Sequence, residues 1–211
     1  RTGDLGVAVQ SKFFAVGSVV PWAKTGVGAI ATQSYANVSY GPDGLELLAK
    51  GKSARETVST LTSADRNKQR RQLGVVDAKG NSASFTGSGC HQWAGHSEKP
   101  NFCAQGNILT GKEVVDTMAS SFEQSQKQAK GGLCDWLADA LMAGQDAGGD
   151  SRGRQSAALL VVRKKGGYGG GNDRFIDLRV DDHKTPIVEL RRLLQLHKNL
   201  FKRAHANPPN G

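Results

Sequence analysis

The stretch Leu73-Gly74-Val75-Val76-Asp77-Ala78-Lys79-Gly80-Asn81-Ser82-Ala83-Ser84-Phe85-Thr86 decides the fold class. Two short apolar runs flank Lys79-Gly80-Asn81, a turn signal, so the stretch reads as a β-hairpin. A hairpin makes its strands antiparallel. Gln155 to Arg163 and Arg174 to Val180 repeat the arrangement around the glycine-rich turn Gly166 to Gly171. Near the start, Leu5, Val7 and Val9 alternate with Gly6, Ala8 and Gln10, a strand that delivers Ser11 and Lys12 at its exit. A second strand of small residues, Val27 to Gln33, leads to Gln33, Ser34 and Asn37, and its small side chains suit close packing on its sheet.

Helices fall between these strands in pairs. Asp43 to Lys50 closes at Gly51, and Ser53 and Glu56 stand at capping-box spacing ahead of a helix from Ala54 to about Thr62. Thr110 and Glu113 offer a second capping box, after which Val114, Val115, Met118, Ala119 and Phe122 recur at helical spacing. Leu133, Trp136, Leu137, Ala140 and Leu141 continue the pattern. A final helix opens at Thr185-Pro186 and is expected to bury Ile187, Leu190, Leu194 and Phe201. Further strands are expected around Cys90 to Ala94 and Phe102 to Leu109. Paired helices between antiparallel strands predict an α+β protein, a four-layer αββα sandwich of two antiparallel sheets.

A chain of 211 residues fits one domain, taken as 1–205 with a loose tail at 206–211. The apolar share of 37% and 27 glycines describe a packed protein rich in turns and exclude a disordered chain. The longest apolar runs are too short for a membrane span. Lys and Arg number 28 against 19 Asp and Glu, a net charge of +9, which attracts anions without choosing among them. No nucleic-acid motif accompanies that charge, so specific nucleic-acid binding is not expected. Three cysteines, Cys90, Cys103 and Cys134, are too few and too scattered for a disulfide scaffold. The Cys90, His91, His96, Cys103 spacing matches no compact zinc pattern, and the reading assigns neither metal nor cofactor.

The strings Gly6-Val7-Ala8-Val9-Gln10-Ser11-Lys12-Phe13, Val16 to Ala23, Ala31-Thr32-Gln33, Tyr40-Gly41-Pro42, Phe85-Thr86-Gly87-Ser88, Trp93-Ala94-Gly95-His96, Gln105-Gly106-Asn107, Ala147 to Asp150, Gly153 to Ser156 and Asp177 to His183 resemble the family catalogued as domain of unknown function 1028. The resemblance runs along nearly the whole chain. It implies kinship with the N-terminal nucleophile hydrolases, an αββα sandwich, and cleavage of a small amide or peptide bond. Relatives begin about a strand earlier with an exposed Thr or similar residue, and no position here corresponds to it. The expectation is therefore a polypeptide that extends upstream by one strand beside Leu5 to Gln10.

An N-terminal nucleophile uses its own α-amino group as base and needs a nearby cation and oxyanion donors. By position Lys12 is the cation, Ser11 shares its hydrogen bonds, and Asn107 is the donor; a solvated Lys12 and a turn Asn107 are the plain alternatives. Gln33, Asn37, Tyr40, Cys90, His96, Arg154 and Ser156 are expected to line the substrate pocket, Arg154 holding a carboxylate. The alternatives are an Asp150–Arg154 pair and an inert, buried Cys90. A non-catalytic binding or assembly module on the same fold is the rival function. The apolar segment Phe13, Phe14, Val19, Val20, Pro21 and Trp22 predicts a homodimer, unless it folds over its own core. The compartment favoured is the cytoplasm, with any signal lying upstream.

Overall fold

A computed structural model of the chain describes residues 2–202, so the expected tail at 206–211 lies outside the described residues. The elements run β1 (Leu5–Ser11), β2 (Pro21–Lys24), β3 (Gly28–Ser34), α1 (Tyr40–Ala49), α2 (Ala54–Ala64), β4 (Arg71–Asp77), β5 (Ser82–Thr86), β6 (Gly95–Lys99), β7 (Phe102–Gly106), α3 (Lys112–Gln128), α4 (Leu133–Asp146), β8 (Ser156–Val162), β9 (Arg174–Val180) and α5 (Pro186–Leu200). The protein is α+β, and every strand pair is antiparallel.

Among the described residues three sheets form, in the orders β1-β8-β9, β2-β3-β4-β5 and β6-β7. Helices α1 and α2 cover the four-stranded sheet, while α4 and α5 pack on the three-stranded one. The two larger sheets meet each other, β1 against β2 and β3, and β2 against β8. Alternation explains how each sheet serves two sides. On β3 and β4, Ile30, Leu73 and Val75 belong to the core beneath α1 and α2. The intervening Ala29, Ala31, Gly74 and Val76 face away from that core and line a cleft. A second core joins Leu159, Val161, Ile176 and Leu190 under α4 and α5.

Close approach depends on glycine at two places. A Cβ on Gly41 would lie 2.2 Å from the Trp22 ring, and one on Gly6 would lie 2.7 Å from the Leu160 carbonyl and against Leu137 of α4. The first lets α1 sit on β2, the second α4 on β1.

Several local expectations are corrected. The stretch Cys90 to Ala94 is not a strand; it loops ahead of β6. The box expected at Thr110 and Glu113 does not form, because α3 starts one residue later behind Gly111, which has no side chain to cap with. Phe201 stays 38% exposed, since α5 ends at Leu200 and the chain turns there. Within the apolar segment after β1, Val16 and Val20 are buried and Trp22 donates to the Val19 carbonyl at 3.0 Å, while Phe13 and Phe14 remain exposed. Pro21 to Lys24 is a strand that the propensities did not announce.

Candidate functional site

A cleft of about 1600 Å³ lies between the facing sides of β1 and the β3-β4 pair, closed by β7, α3 and α4. Among the described residues the sheet order leaves β1 with one unpaired edge, and both alternating sets of its side chains reach the cleft, so that edge borders the cavity. Val7, Val9, Ala29, Phe102, Phe122 and Leu137 give the walls an apolar character. Where β1, β3 and β7 end, the lining turns polar: Ser11, Gln33, Ser34, Gln105, Asn107, Asp150 and Arg152.

The polar end is a network of carboxamides. Gln72, buried on β4, accepts from Gln33 Nε2 at 3.0 Å and from Asn107 Nδ2 at 3.2 Å. Its own amide donates to the carbonyls of Gly106 and Gly95 and to Thr86 Oγ1. Gln105 donates to Gln33 Oε1 at 3.5 Å, while its Oε1 is buried without a partner among the described residues. Gly74 makes room for this side chain, since a Cβ there would stand 2.3 Å from Gln105 Nε2. Ser34 Oγ is likewise buried and unpartnered among the described residues. A buried polar atom left without a partner is costly, so such atoms mark where a ligand or water belongs.

Asp150 organises the other side. Its carboxylate accepts from the Lys12 backbone N–H at 3.1 Å, from the Arg152 N–H at 3.0 Å, and from Arg152 Nη2 and Nε at 2.7 and 3.0 Å. Burial pushes the Asp150 carboxyl up, but the Arg152 guanidinium and the two backbone donors together outweigh it and hold it below the ordinary range. Arg152 also reaches Ser11 Oγ at 3.4 Å.

Ser11, Gln33 and Asn107 thus come together with Gln105, the second side-chain amide of the Gln105-Gly106-Asn107 turn, and with residues whose roles the sequence did not announce: Ser34, Gln72, Asp150 and Arg152. Gln72 carried a signal, a polar residue entering the apolar run Leu73 to Val76. The other expected residues lie elsewhere. Lys12 lends its backbone to Asp150, but its side chain is exposed and forms no ion pair among the described residues. Arg154 is exposed, and Asp150 pairs with Arg152 in place of it, because the turn at Arg152-Gly153 folds the nearer guanidinium back onto the carboxylate. Asn37 and Tyr40 bond Asp65 at 3.3 and 2.9 Å beside Arg71, a cluster under α1. Burial and the Asp65 hydrogen bond push the Tyr40 phenol well up. Cys90 is buried and donates to the Arg71 carbonyl. His96 is exposed beside Thr86 Oγ1 at 2.8 Å. Ser156 is buried, accepting from Val16 N–H and donating to the Phe13 carbonyl, which fastens the loop after β1. No cluster of metal-ligating side chains occurs among the described residues.

An α+β protein with a carboxamide-headed cleft is what this geometry defines. The chain belongs to the family of unknown function DUF1028, whose pattern matches residues 1–190. It is similar to a crystal structure of a Silicibacter pomeroyi protein of the same family, with 30% identity and a TM-score of 0.84, over 93% of this chain and 81% of that one. No curated protein matches.

Proposed function

We propose that the protein is an amide-bond hydrolase of the N-terminal nucleophile kind, with an αββα sandwich as its fold and a small amide or peptide as its substrate. The observation that supports this is the carboxamide cluster of Gln33, Gln72, Gln105 and Asn107 at the head of the cleft. A carboxamide offers both a donor and an acceptor, so it complements the N–H and C=O of another amide. Asn107 supplies the oxyanion donor in this reading, Ser11 relays its hydrogen bonds to Arg152, and Lys12 supplies positive charge at the rim.

The nucleophile then sits on an upstream strand paired with β1. Two features of the cleft favour that placement: the unpaired edge of β1 and the cavity running along it. Gly3, two residues ahead of β1, has φ +70°, the left-handed backbone used to close hairpin loops. Asp4 is gripped by Arg163 at the same point, which anchors the turn.

Intact-mass analysis and N-terminal sequencing of the natural protein, followed by an electrophile selective for terminal Thr, Ser or Cys, test the reading. Labelling of an upstream terminus together with loss of amide turnover is expected. Turnover by protein that begins at Arg1 would place the nucleophile elsewhere.

A second reading, a binding module on the same fold, draws on the thiols in the cleft. Burial pushes Cys103 and Cys134 up to about 11, so neither is a ready thiolate at neutral pH. Saturable amide binding with no turnover by the natural protein would favour it.

A further inference from the structure

We propose that the side pocket at the head of the cleft is a subsite for a carboxylate, so that the preferred ligand is an amide bearing a free acid close by, such as an N-acyl amino acid or the C-terminal end of a peptide. This rests on the amide-binding part of the reading above. The pocket, of about 600 Å³, is lined by Ser34, Tyr35, His91, Asn107, Ile108 and Arg152, with Gln92 at its edge. Ser34, Asn107, Ile108 and Arg152 line the main cleft as well, so one short ligand spans both spaces.

Three observations point to an anion. The first is the donors left over. Arg152 commits Nε and Nη2 to Asp150, which fixes the plane of the guanidinium, and Nη1 has no partner among the described residues. Ser34 Oγ adds a buried hydroxyl that nothing else engages among the described residues. A planar, pre-oriented guanidinium and a hydroxyl lining one pocket suit a carboxylate.

The second is charge. Arg70 stacks on the Tyr35 ring, 4.1 Å from its centroid, and Arg71 donates to the Tyr35 carbonyl. With Arg152, three guanidiniums stand around the pocket against two carboxylates, Asp65 and Asp150. One positive charge is left uncompensated, and His91, 3.1 Å from Tyr35 Oη, also lines the pocket.

The third is backbone. Ser34 and Ile108, both lining the pocket, have φ of 71° and 58°. The left-handed region is uncommon for serine and a true outlier for β-branched isoleucine. Hydrogen bonds hold Ile108 there: its N–H donates to the His91 carbonyl at 2.9 Å, and its carbonyl accepts from Ser151 at 2.8 Å. Strain maintained in this way gathers at ligand clamps.

Calorimetry with three probes tests the subsite without requiring turnover: N-acetylalanine, its neutral C-terminal amide, and inorganic phosphate. The acid is expected to bind at least tenfold more tightly than the amide, and phosphate to compete poorly because it lacks the amide. Ser34→Ala and Arg152→Gln should each abolish the preference for the acid, whereas Arg152→Lys should keep part of it. Equal binding of acid and amide, binding of neither, or phosphate competing as well as the acid would overturn the subsite. So would an unchanged preference in Ser34→Ala. Selective binding without hydrolysis would leave the subsite standing and remove the hydrolase reading; hydrolysis with no preference for the acid would do the reverse.

Discussion

Asp150 gathers the Lys12 N–H, the Arg152 N–H and the Arg152 guanidinium on one carboxylate, and this buried hub joins the end of β1 to the turn ahead of β8. Asp150→Asn keeps the size but removes the charge and one acceptor. Hydrogen bonds to charged groups contribute about 1.5–3 kcal/mol, so the variant should lose about 2 kcal/mol in urea unfolding. An unchanged midpoint would mean that Arg152 and Lys12 find equal partners in water. Arg154 shows why neighbours in sequence mislead at this scale: it stands nearer the start of β8, yet the positive φ of 109° at Gly153 turns it to the surface and leaves Arg152 on the carboxylate.

Among the elements, α2 carries the helix start most clearly written in the sequence. Ser53 Oγ accepts from Glu56 N–H at 3.3 Å, and Glu56 accepts from Ser53 N–H at 2.8 Å. Ser53→Ala should cost about 1 kcal/mol, read as a lowered thermal midpoint with cleft binding unchanged, since α2 lies on the far side of its sheet. Where the same pattern was expected at Thr110, only Gly111 occupies the cap position, and no side chain satisfies the first turn of α3. The spacing was right and the register was off by one. Short β2 carries no strand signal of its own, because its pairing with β3, not its propensity, makes it a strand.

Across the whole molecule, acid should lower the protein's stability in two steps. Burial lowers His197, between Phe175 and Phe201, so the folded state resists the proton that the unfolded chain accepts near pH 6.5. Stability therefore falls as pH drops through about 6.5 and levels once the folded His197 is protonated. Asp65 is held low chiefly by Arg71, and Asp77 and Asp150 by hydrogen bonds that outweigh their burial. Their contribution is complete above the unfolded carboxylate value of about 4 and is lost as pH falls through the lower folded values. Thermal midpoints from pH 8 to pH 3 should show a shallow first step and a steeper second one, and His197→Phe should erase the first. At the same scale we propose that exposed Phe13 and Phe14 meet a second copy of the chain. Sedimentation should show a dimer that Phe14→Ser dissociates, and a monomer at every concentration would refute it.

Local physics already determined much of this protein. Turn glycines, period-two alternation and capping residues are short-range signals, and they place β1, β3, the β4-β5 and β8-β9 hairpins and α2 close to their true bounds, the start of α5, and a helix in the stretch that α4 occupies. They also mark the exits of β1 and β3, and Asn107, as polar positions, and of these Ser11, Gln33, Ser34 and Asn107 meet at the cleft head. Membership of the cleft was decided only in three dimensions. Gln72 and Gln105 lie 33 positions apart in the chain and join through Gln33 because β3, β4 and β7 stack there, over a glycine that leaves the space. Asn37 and Tyr40, close after β3 in the chain, are drawn under α1 by Asp65, a partner 25 residues away from Tyr40. A carboxamide or a tyrosine has no preference for cleft or core on its own; the nearest buried charge or unpaired amide chooses, and that distance exists only once the sheets have packed.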